Sequence, residues 1–491
     1  MIFQRFAQNR LFKLLTFNIL LQVFPLLAGL LSVPYTLNLL GQELFTIYAL
    51  AIGFILSLGY LNFGITTGVN RDLAYTNIED SKERSVIFWT GLISMILISI
   101  LILLVLSTLM PFYIEQLNSQ SEGVIEQASI FFKKLILQTP LIFVLLFFRS
   151  VLESQTKFEI TATNRAAINS LLLTSPILIG FFDLPFIFLV DIFLILHLVS
   201  FFWLGYFCRE FLLNLKPVYN HKAFKNLIIS GSSLTLISIS MLIFLYGDRF
   251  ILSTKVDLLT ASYFIAPLDL LMRFSLIYGS ASAVFFPIFS SLNGKKNYSD
   301  LRSLFEISYW LVFVGVFSIL FGITLFMPQL LGIWLGTDFA EKSIFVTLVL
   351  TFGILFTGLT AIPFKALVSL HQENTLGFFY ILSSMMYIFL SYFLITNFGI
   401  VGAASAFLIR GVIELVLLNI FISLKLKQIN DNNRNQFLDI LFKSMAPLAL
   451  LIALIFLDFT ILYKFIVLFI FICFALLFFR KYFMLLKIFK I

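Results

Sequence analysis

The chain has 491 residues, 60% of them apolar and only 12% charged, with a formal net charge of +8 and a mean hydropathy of +1.03. Soluble domains run near roughly 45–50% apolar and about 25% charged, so a water-soluble fold is excluded and the chain reads as an all-α polytopic membrane protein. No polar stretch is long enough for a soluble catalytic domain, Cys208 and Cys473 form no CxxC, and His197, His221 and His371 are too scattered for a metal signature. No cofactor, metal or disulfide framework is therefore expected, and the surplus of Lys and Arg is a membrane-topology signal rather than a nucleic-acid footprint.

Apolar runs of about 20 residues bounded by polar clusters predict fourteen helices. The first covers 14 to 34. Arg5, Arg10 and Lys13 precede it like a signal-peptide n-region, but the run is too long, has no small-residue cleavage site and leads into further spans, so it reads as an uncleaved helix. Glu43 falls in the loop before the second, 44 to 68, where Gly64 and Gly68 have the small-xxx-small spacing of close helix packing. The third and fourth cover 86 to 110 and 135 to 152, the fourth carrying Arg149 with Glu153 one turn on. Asp183, Leu184 and Pro185 alone separate the fifth, 166 to 182, from the sixth, 186 to 207, which carries Asp191 and His197 six residues apart and so not on one face. The seventh, 227 to 247, ends at Asp248 and Arg249, read as a solvated pair.

The eighth, 261 to 289, contains Pro267, which breaks the backbone ladder and marks a hinge, just ahead of Asp269 and Arg273 at i and i+4. The ninth to twelfth cover 305 to 327, 344 to 370 with Lys365, 377 to 395, and 400 to 424 with Arg410 and Glu414 at i and i+4. The last two, 444 to 461 and 465 to 479, are divided only by a short turn, so the count is twelve to fourteen. Lys and Arg in one set of alternate loops outnumber those in the other by almost four to one, which puts both termini in the cytoplasm.

Shifting the chain by about 215 residues lays the first helix on the seventh, Tyr48 on Tyr263, and the turn at Asp183 to Pro185 on that at Phe398 to Gly402; at 216, Phe148-Arg149 falls on Phe364-Lys365. Six helices per repeat is an even number, so the halves enter the membrane from the same side and the repeat is parallel. The expected organisation is a six-helix bundle over 1–220, a second over 221–430, and two additional helices over 431–491.

Pro34-Tyr35 with Leu40-Gly41, Asn62-Phe63-Gly64-Ile65 with Gly68 and Arg71, Trp334-Leu335-Gly336, and Phe398-Gly399-Ile400-Val401-Gly402-Ala403-Ala404 running to Arg410 occur in this order over nearly the whole chain. In this the chain resembles the polysaccharide transporters (Wzx-type flippases) of the multidrug/oligosaccharidyl-lipid/polysaccharide exporter superfamily. The resemblance implies two bundles around a central cavity in the bacterial inner membrane. It implies alternating access, with an undecaprenyl-pyrophosphate-linked oligosaccharide moved from the cytoplasmic to the periplasmic leaflet. Implied partners are this lipid-linked substrate, membrane lipids, a polysaccharide polymerase and a chain-length regulator.

A diphosphate and sugars crossing about 30 Å of hydrocarbon need a wet cavity that holds cations. Each intramembrane cation costs about 2.5–3.5 kcal/mol on insertion scales, which makes Arg149, Lys365, Arg273 and Arg410 the substrate-binding candidates. For Arg149 and Lys365, equivalents under the repeat, the alternative is snorkelling to headgroups. Asp269–Arg273 and Arg410–Glu414 read either as self-neutralising structural pairs or as gated pairs that open to substrate or a coupling proton. Asp191 is a further coupling candidate, and no residue is expected to be catalytic. Three other functions share this sequence class, one of them a channel, which the internal repeat disfavours. A drug or cation extruder of the same fold calls for lone carboxylates in the first helices, and there are none between Leu14 and Leu40. An O-antigen polymerase or ligase calls for a long periplasmic loop bearing Arg and His, and the loops here are short.

Overall fold

The computed structural model describes residues 2–77, 80–429 and single positions between 464 and 475. The described chain is helical throughout, its one β-feature being a parallel bridge between Asn118 and Asp257. In chain order the helices are α1 (Ile2–Leu58), α2 (Ile65–Tyr75), α3 (Ser81–Glu115), α4 (Val124–Ile136), α5 (Thr139–Ser154), α6 (Phe158–Phe181), α7 (Phe188–Asn214) and α8 (His221–Leu242). A π-helical turn, Ile243–Gly247, joins α8 to α9 (Asp248–Lys255). There follow α10 (Leu258–Met272), α11 (Ser275–Gly294), α12 (Tyr298–Leu325), α13 (Met327–Leu335), α14 (Thr337–Leu359), α15 (Ala361–Ser369) and α16 (Glu373–Ile429).

These helices cover the first twelve predicted spans, often two elements to a span. Both 57-residue helices bend at a glycine whose φ no other residue adopts cheaply: α1 at Gly41 (φ 74°) and α16 at Gly399 (φ 55°). α4 and α5 meet at 44° across Leu137 and Gln138. Seven stretches of the described residues are by themselves long and apolar enough to cross a membrane, and the bent α4–α5 pair makes an eighth. The predicted spans 444 to 461 and most of 465 to 479 lie outside the described residues; Phe471 is described and stacks on Phe321 at 4.4 Å between ring centres.

The described chain packs as two compact units. The first is formed by the chain to Ile265 together with Gly377–Ile388, the second by Ala266–Leu376 together with the described residues from Phe389 on. In the first unit α1 lies along α6, α5 packs on α2, α3 and α7, and α8 joins α2 and α3. A Cβ on Gly68 would meet Leu227 of α8 at 3.0 Å, so the small residue serves close helix contact. One end of this unit is tied by polar contacts: Thr46 Oγ1 donates to the Leu258 carbonyl at 2.8 Å, and the Leu258 N–H donates to the Asn118 carbonyl at 2.9 Å. In the second unit α11, α12, α14 and α15 pack on one another around Phe313, Phe317 and Phe321.

Left-handed backbone conformations recur along the chain. Gly123, Thr156 and Asp183 have positive φ, and so do Gly336, His371 and Gly399, which follow them by 213, 215 and 216 residues.

Candidate functional site

Arg149 lies on α5, whose other face buries Phe143, Phe147 and Phe148. Its Nη2 donates to Asn164 Oδ1 of α6 at 3.1 Å, and Ser200 Oγ of α7 donates to the same oxygen at 3.0 Å. Asn164 and Ser200 are fully buried. With Oδ1 engaged twice, the amide of Asn164 has a fixed orientation, yet its Nδ2 has no acceptor, and neither has Arg149 Nε; both atoms are shut off from solvent. Buried N–H groups are almost always satisfied, so two unmet donors in one cationic cluster are complementary to the oxygens of an anion. The sequence placed Glu153 beside Arg149, but Glu153 pairs with Arg165 of α6 at 3.1 Å, nearer the surface. Helical spacing alone did not account for a competing cation from the neighbouring helix.

One turn of α7 before Ser200 is His197, also buried. Gln138 Nε2 donates to the Val190 carbonyl at 2.9 Å, which leaves Gln138 Oε1 to face His197 Nδ1 at 2.9 Å. That carbonyl oxygen can only accept, so Nδ1 of His197 carries the hydrogen. Asp191 lies apart from this cluster, its carboxylate held by Lys134 at 2.9 Å with both side chains more than 40% exposed.

In the second unit Lys365 projects from α15 with its ammonium 5.4 Å from the ring centre of Phe286 and 5.7 Å from that of Phe364. Cation–π attraction is worth about 0.5–2 kcal/mol, which holds the charge at the rings while leaving its hydrogen-bonding directions open to a stronger acceptor. Arg410 and Glu414 are both buried on α16. Arg410 Nη2 donates to Thr357 Oγ1 of α14 at 3.3 Å and its guanidinium sits 4.9 Å from the Phe407 ring centre. This seat depends on close approach of α14 and α16: a Cβ on Gly353 would lie 2.4 Å from Phe407.

Asp269 lies near the end of α10, and Arg273 lies just beyond it, in the two-residue break before α11. The predicted single helix over 261 to 289 is thus broken at Arg273 and Phe274, whose N–H groups bond back three residues to Leu270 and Leu271. Pro267 is carried inside α10 without ending it.

The sequence reading missed two buried carboxylates. Asp248 and Arg249, expected to be solvated, are 1% and 4% exposed. The π-turn carries the seventh helix past residue 247 to Lys255 and swings both side chains inward. Asp248 Oδ1 accepts from the Arg249 N–H at 2.8 Å and Oδ2 from the Tyr387 hydroxyl at 3.0 Å, while Arg249 sits 5.5 Å from the Tyr246 ring centre. The apolar residues Phe250, Ile251 and Leu252 after the pair were the signal that the helix continues. Glu43 was expected in a loop but lies in α1, two residues past the bend, and is 6% exposed. Its Oε1 accepts from the Gln120 N–H at 2.7 Å and Ser119 Oγ at 3.0 Å; its Oε2 is buried without a partner.

No family model matches the chain. A provisionally named O-antigen transporter of Shigella flexneri is 24% identical over 404 residues, covering 82% of this chain and 95% of the relative. Among solved structures, an inward-facing multidrug resistance MATE family transporter of the MOP superfamily superposes with a TM-score of 0.73 at 14% identity, covering 84% of this chain and 96% of that one. The lipid II flippase MurJ in an inward closed conformation gives 0.72 at 17% identity, covering 96% and 99%. The fold is therefore that of this group of polytopic, all-helical membrane transporters, and the relatives bear out the resemblance read from the sequence. All three of these proteins are named as transporters or flippases.

Proposed function

We propose that this chain, which resembles the Wzx-type polysaccharide transporters of the multidrug/oligosaccharidyl-lipid/polysaccharide exporter superfamily and shares the fold of its solved members, is a transporter of that kind and flips lipid-linked oligosaccharides across the membrane. The cargo in this reading is an undecaprenyl-pyrophosphate-linked repeat unit of O-antigen or capsule type, carried from the cytoplasmic to the periplasmic leaflet by alternating access through a cationic cavity. The names of two relatives, O-antigen transporter and lipid II flippase, support a lipid-linked substrate. The observation that carries the reading is the pair of unmet donors on Arg149 and Asn164, which diphosphate oxygens would complete. The recurrence of left-handed residues at 213 to 216 positions supports a parallel repeat over 1–220 and 221–430, in which Lys365 is the counterpart of Arg149. Arg273 and Arg410 would add charge along the path, with Asp269 and Glu414 as their ion-pair partners and Asp191 as a coupling candidate. Both termini lie in the cytoplasm in this reading, and a polysaccharide polymerase and chain-length regulator act on the delivered units.

A second reading, a cation extruder of the same fold, has one observation in its favour: the buried Glu43 with an unpartnered carboxylate oxygen. Reconstitution separates the two. Vesicles holding the purified chain and a fluorescent undecaprenyl-diphosphate oligosaccharide are exposed to a membrane-impermeant quencher. Flipping makes the whole labelled pool quenchable in the wild type and only the outer half in the Arg149→Ala, Lys365→Ala double variant. A wild-type chain that leaves the inner half protected while expelling a lipophilic cation would overturn the proposal.

A further inference from the structure

Between the far end of α3 and the end of α4 the structure has a cleft of about 240 Å³, distinct from the Arg149 cluster. Ser107, Met110, Pro111 and Ile114 line one wall at i, i+3, i+4 and i+7, and Lys133, Ile136 and Leu137 line the other. The cleft stays open because α4 ends at Ile136 and the chain turns by 44° into α5. Counting the roughly 20 residues of a span from Ile87 along α3 reaches Ser107, so the cleft lies at the boundary between hydrocarbon and headgroups. Toward the hydrocarbon, Leu104, Ile100 and Leu97 precede Ser107 by 3, 7 and 10 residues and form an exposed apolar track down α3.

Three polar features break this apolar lining. Lys133 is exposed and pairs with no carboxylate among the described residues, whereas its neighbour Lys134 is taken by Asp191. Ser107 presents a hydroxyl. Pro111 has no N–H to give the carbonyl four residues earlier, and that carbonyl is also that of Ser107, so the wall of the cleft holds an acceptor with no helical donor. A cation, an acceptor in need of a donor and an apolar track together match one chemical species: a phosphate that bears a hydroxylated headgroup and an acyl chain.

We infer that this cleft binds an anionic phospholipid with a headgroup hydroxyl, phosphatidylglycerol. Its phosphate rests at Lys133, its glycerol hydroxyl donates to the Ser107 carbonyl, and an acyl chain follows the track from Leu104 to Leu97. With both termini in the cytoplasm, as proposed above, the site belongs to the periplasmic leaflet. The lipid would brace α4 against α3 at the edge of their contact.

The test is native mass spectrometry of the full chain in detergent, titrated separately with phosphatidylglycerol, phosphatidic acid and phosphatidylcholine. The wild type should retain one phosphatidylglycerol more firmly than phosphatidylcholine. A Lys near headgroups contributes about 1 kcal/mol to anionic lipid binding, so Lys133→Ala should weaken that retention roughly five-fold. Ser107→Phe, which fills the cleft at an exposed position, should weaken phosphatidylglycerol and phosphatidic acid alike. Pro111→Ala restores the missing N–H and should weaken phosphatidylglycerol while sparing phosphatidic acid, which lacks the glycerol headgroup. Wild-type retention in both Lys133→Ala and Ser107→Phe, or equal retention of phosphatidylcholine, overturns the site. Leaflet is read separately, by labelling Ser119→Cys in intact cells with an impermeant thiol reagent. Protection of that thiol in intact cells, with labelling only after permeabilisation, would overturn the orientation and move the lipid site to the other leaflet without removing it.

Discussion

Replacing Arg149 with alanine separates a binding role from a structural one, because the two make opposite statements about abundance. The variant loses the charge-assisted hydrogen bond to Asn164, worth about 1.5–3 kcal/mol. It also relieves about 2.5–3.5 kcal/mol of intramembrane charge cost. The two nearly cancel, so folding and membrane abundance should stay close to wild type. Transport should not, since a cation that meets a diphosphate contributes about 1.5–3 kcal/mol, or roughly 10- to 150-fold at 1.4 kcal/mol per decade. The assay is the initial rate of quencher accessibility in vesicles, normalised to reconstituted protein. Arg149→Lys keeps the charge and loses the planar fork, so it should recover part of the rate. An alanine variant of normal abundance that flips within two-fold of wild type would refute the assignment of the cluster to substrate.

The remaining expectations concern the seats of other buried charges. Lys365→Ala should slow flipping while Lys365→Arg, which keeps a cation over Phe286 and Phe364, largely preserves it; equal loss in both would show that shape rather than charge matters there. Glu43→Ala removes the acceptor of the Gln120 N–H and Ser119 hydroxyl, a loss of about 1.5–3 kcal/mol. Protease nicking between α3 and α4 should then appear at lower concentration, and an unchanged digestion pattern would contradict it. Tyr387→Phe strips one donor from Asp248 and should lower the thermal midpoint, with Asp248→Asn lessening the defect by removing the charge. Gly353→Ala puts a Cβ 2.4 Å from Phe407 and should cost about 1–3 kcal/mol by overpacking. Phe407→Leu in the same chain should recover abundance; failure to do so would place the strain elsewhere.

The membrane helices were legible because a helix that crosses lipid has to be apolar along its length, so helical segments overlie the first twelve predicted runs, with breaks after Leu58 and Met272 that composition did not mark. What the pattern of single residues missed is set by neighbours that lie far away in sequence. Glu153 is one helical turn from Arg149, yet Arg165 of the next helix claims it. Asp248 and Arg249 look like a helix end because charge normally marks one, whereas the π-turn carries the helix on and Tyr387, 139 residues away, donates to the buried carboxylate. Glu43 is masked for the same reason: its hydrogen-bond donors come from the loop between α3 and α4. The break at Arg273 rather than Pro267 has a simpler cause. A proline inside a membrane helix removes one bond that the surroundings can replace, so it does not by itself end the helix. Arg149 was legible as a charge in an apolar run, but Asn164 and Ser200, which define its site, are ordinary polar residues whose meaning comes only from proximity.

The most direct test of the central claim is the sidedness of lipid-linked repeat units in cells that lack the gene and are then supplied with the wild-type chain. Repeat units that accumulate on the cytoplasmic face without the chain, and reach the periplasmic face with it, are the predicted result. Repeat units that reach the periplasm equally well in its absence would contradict the account.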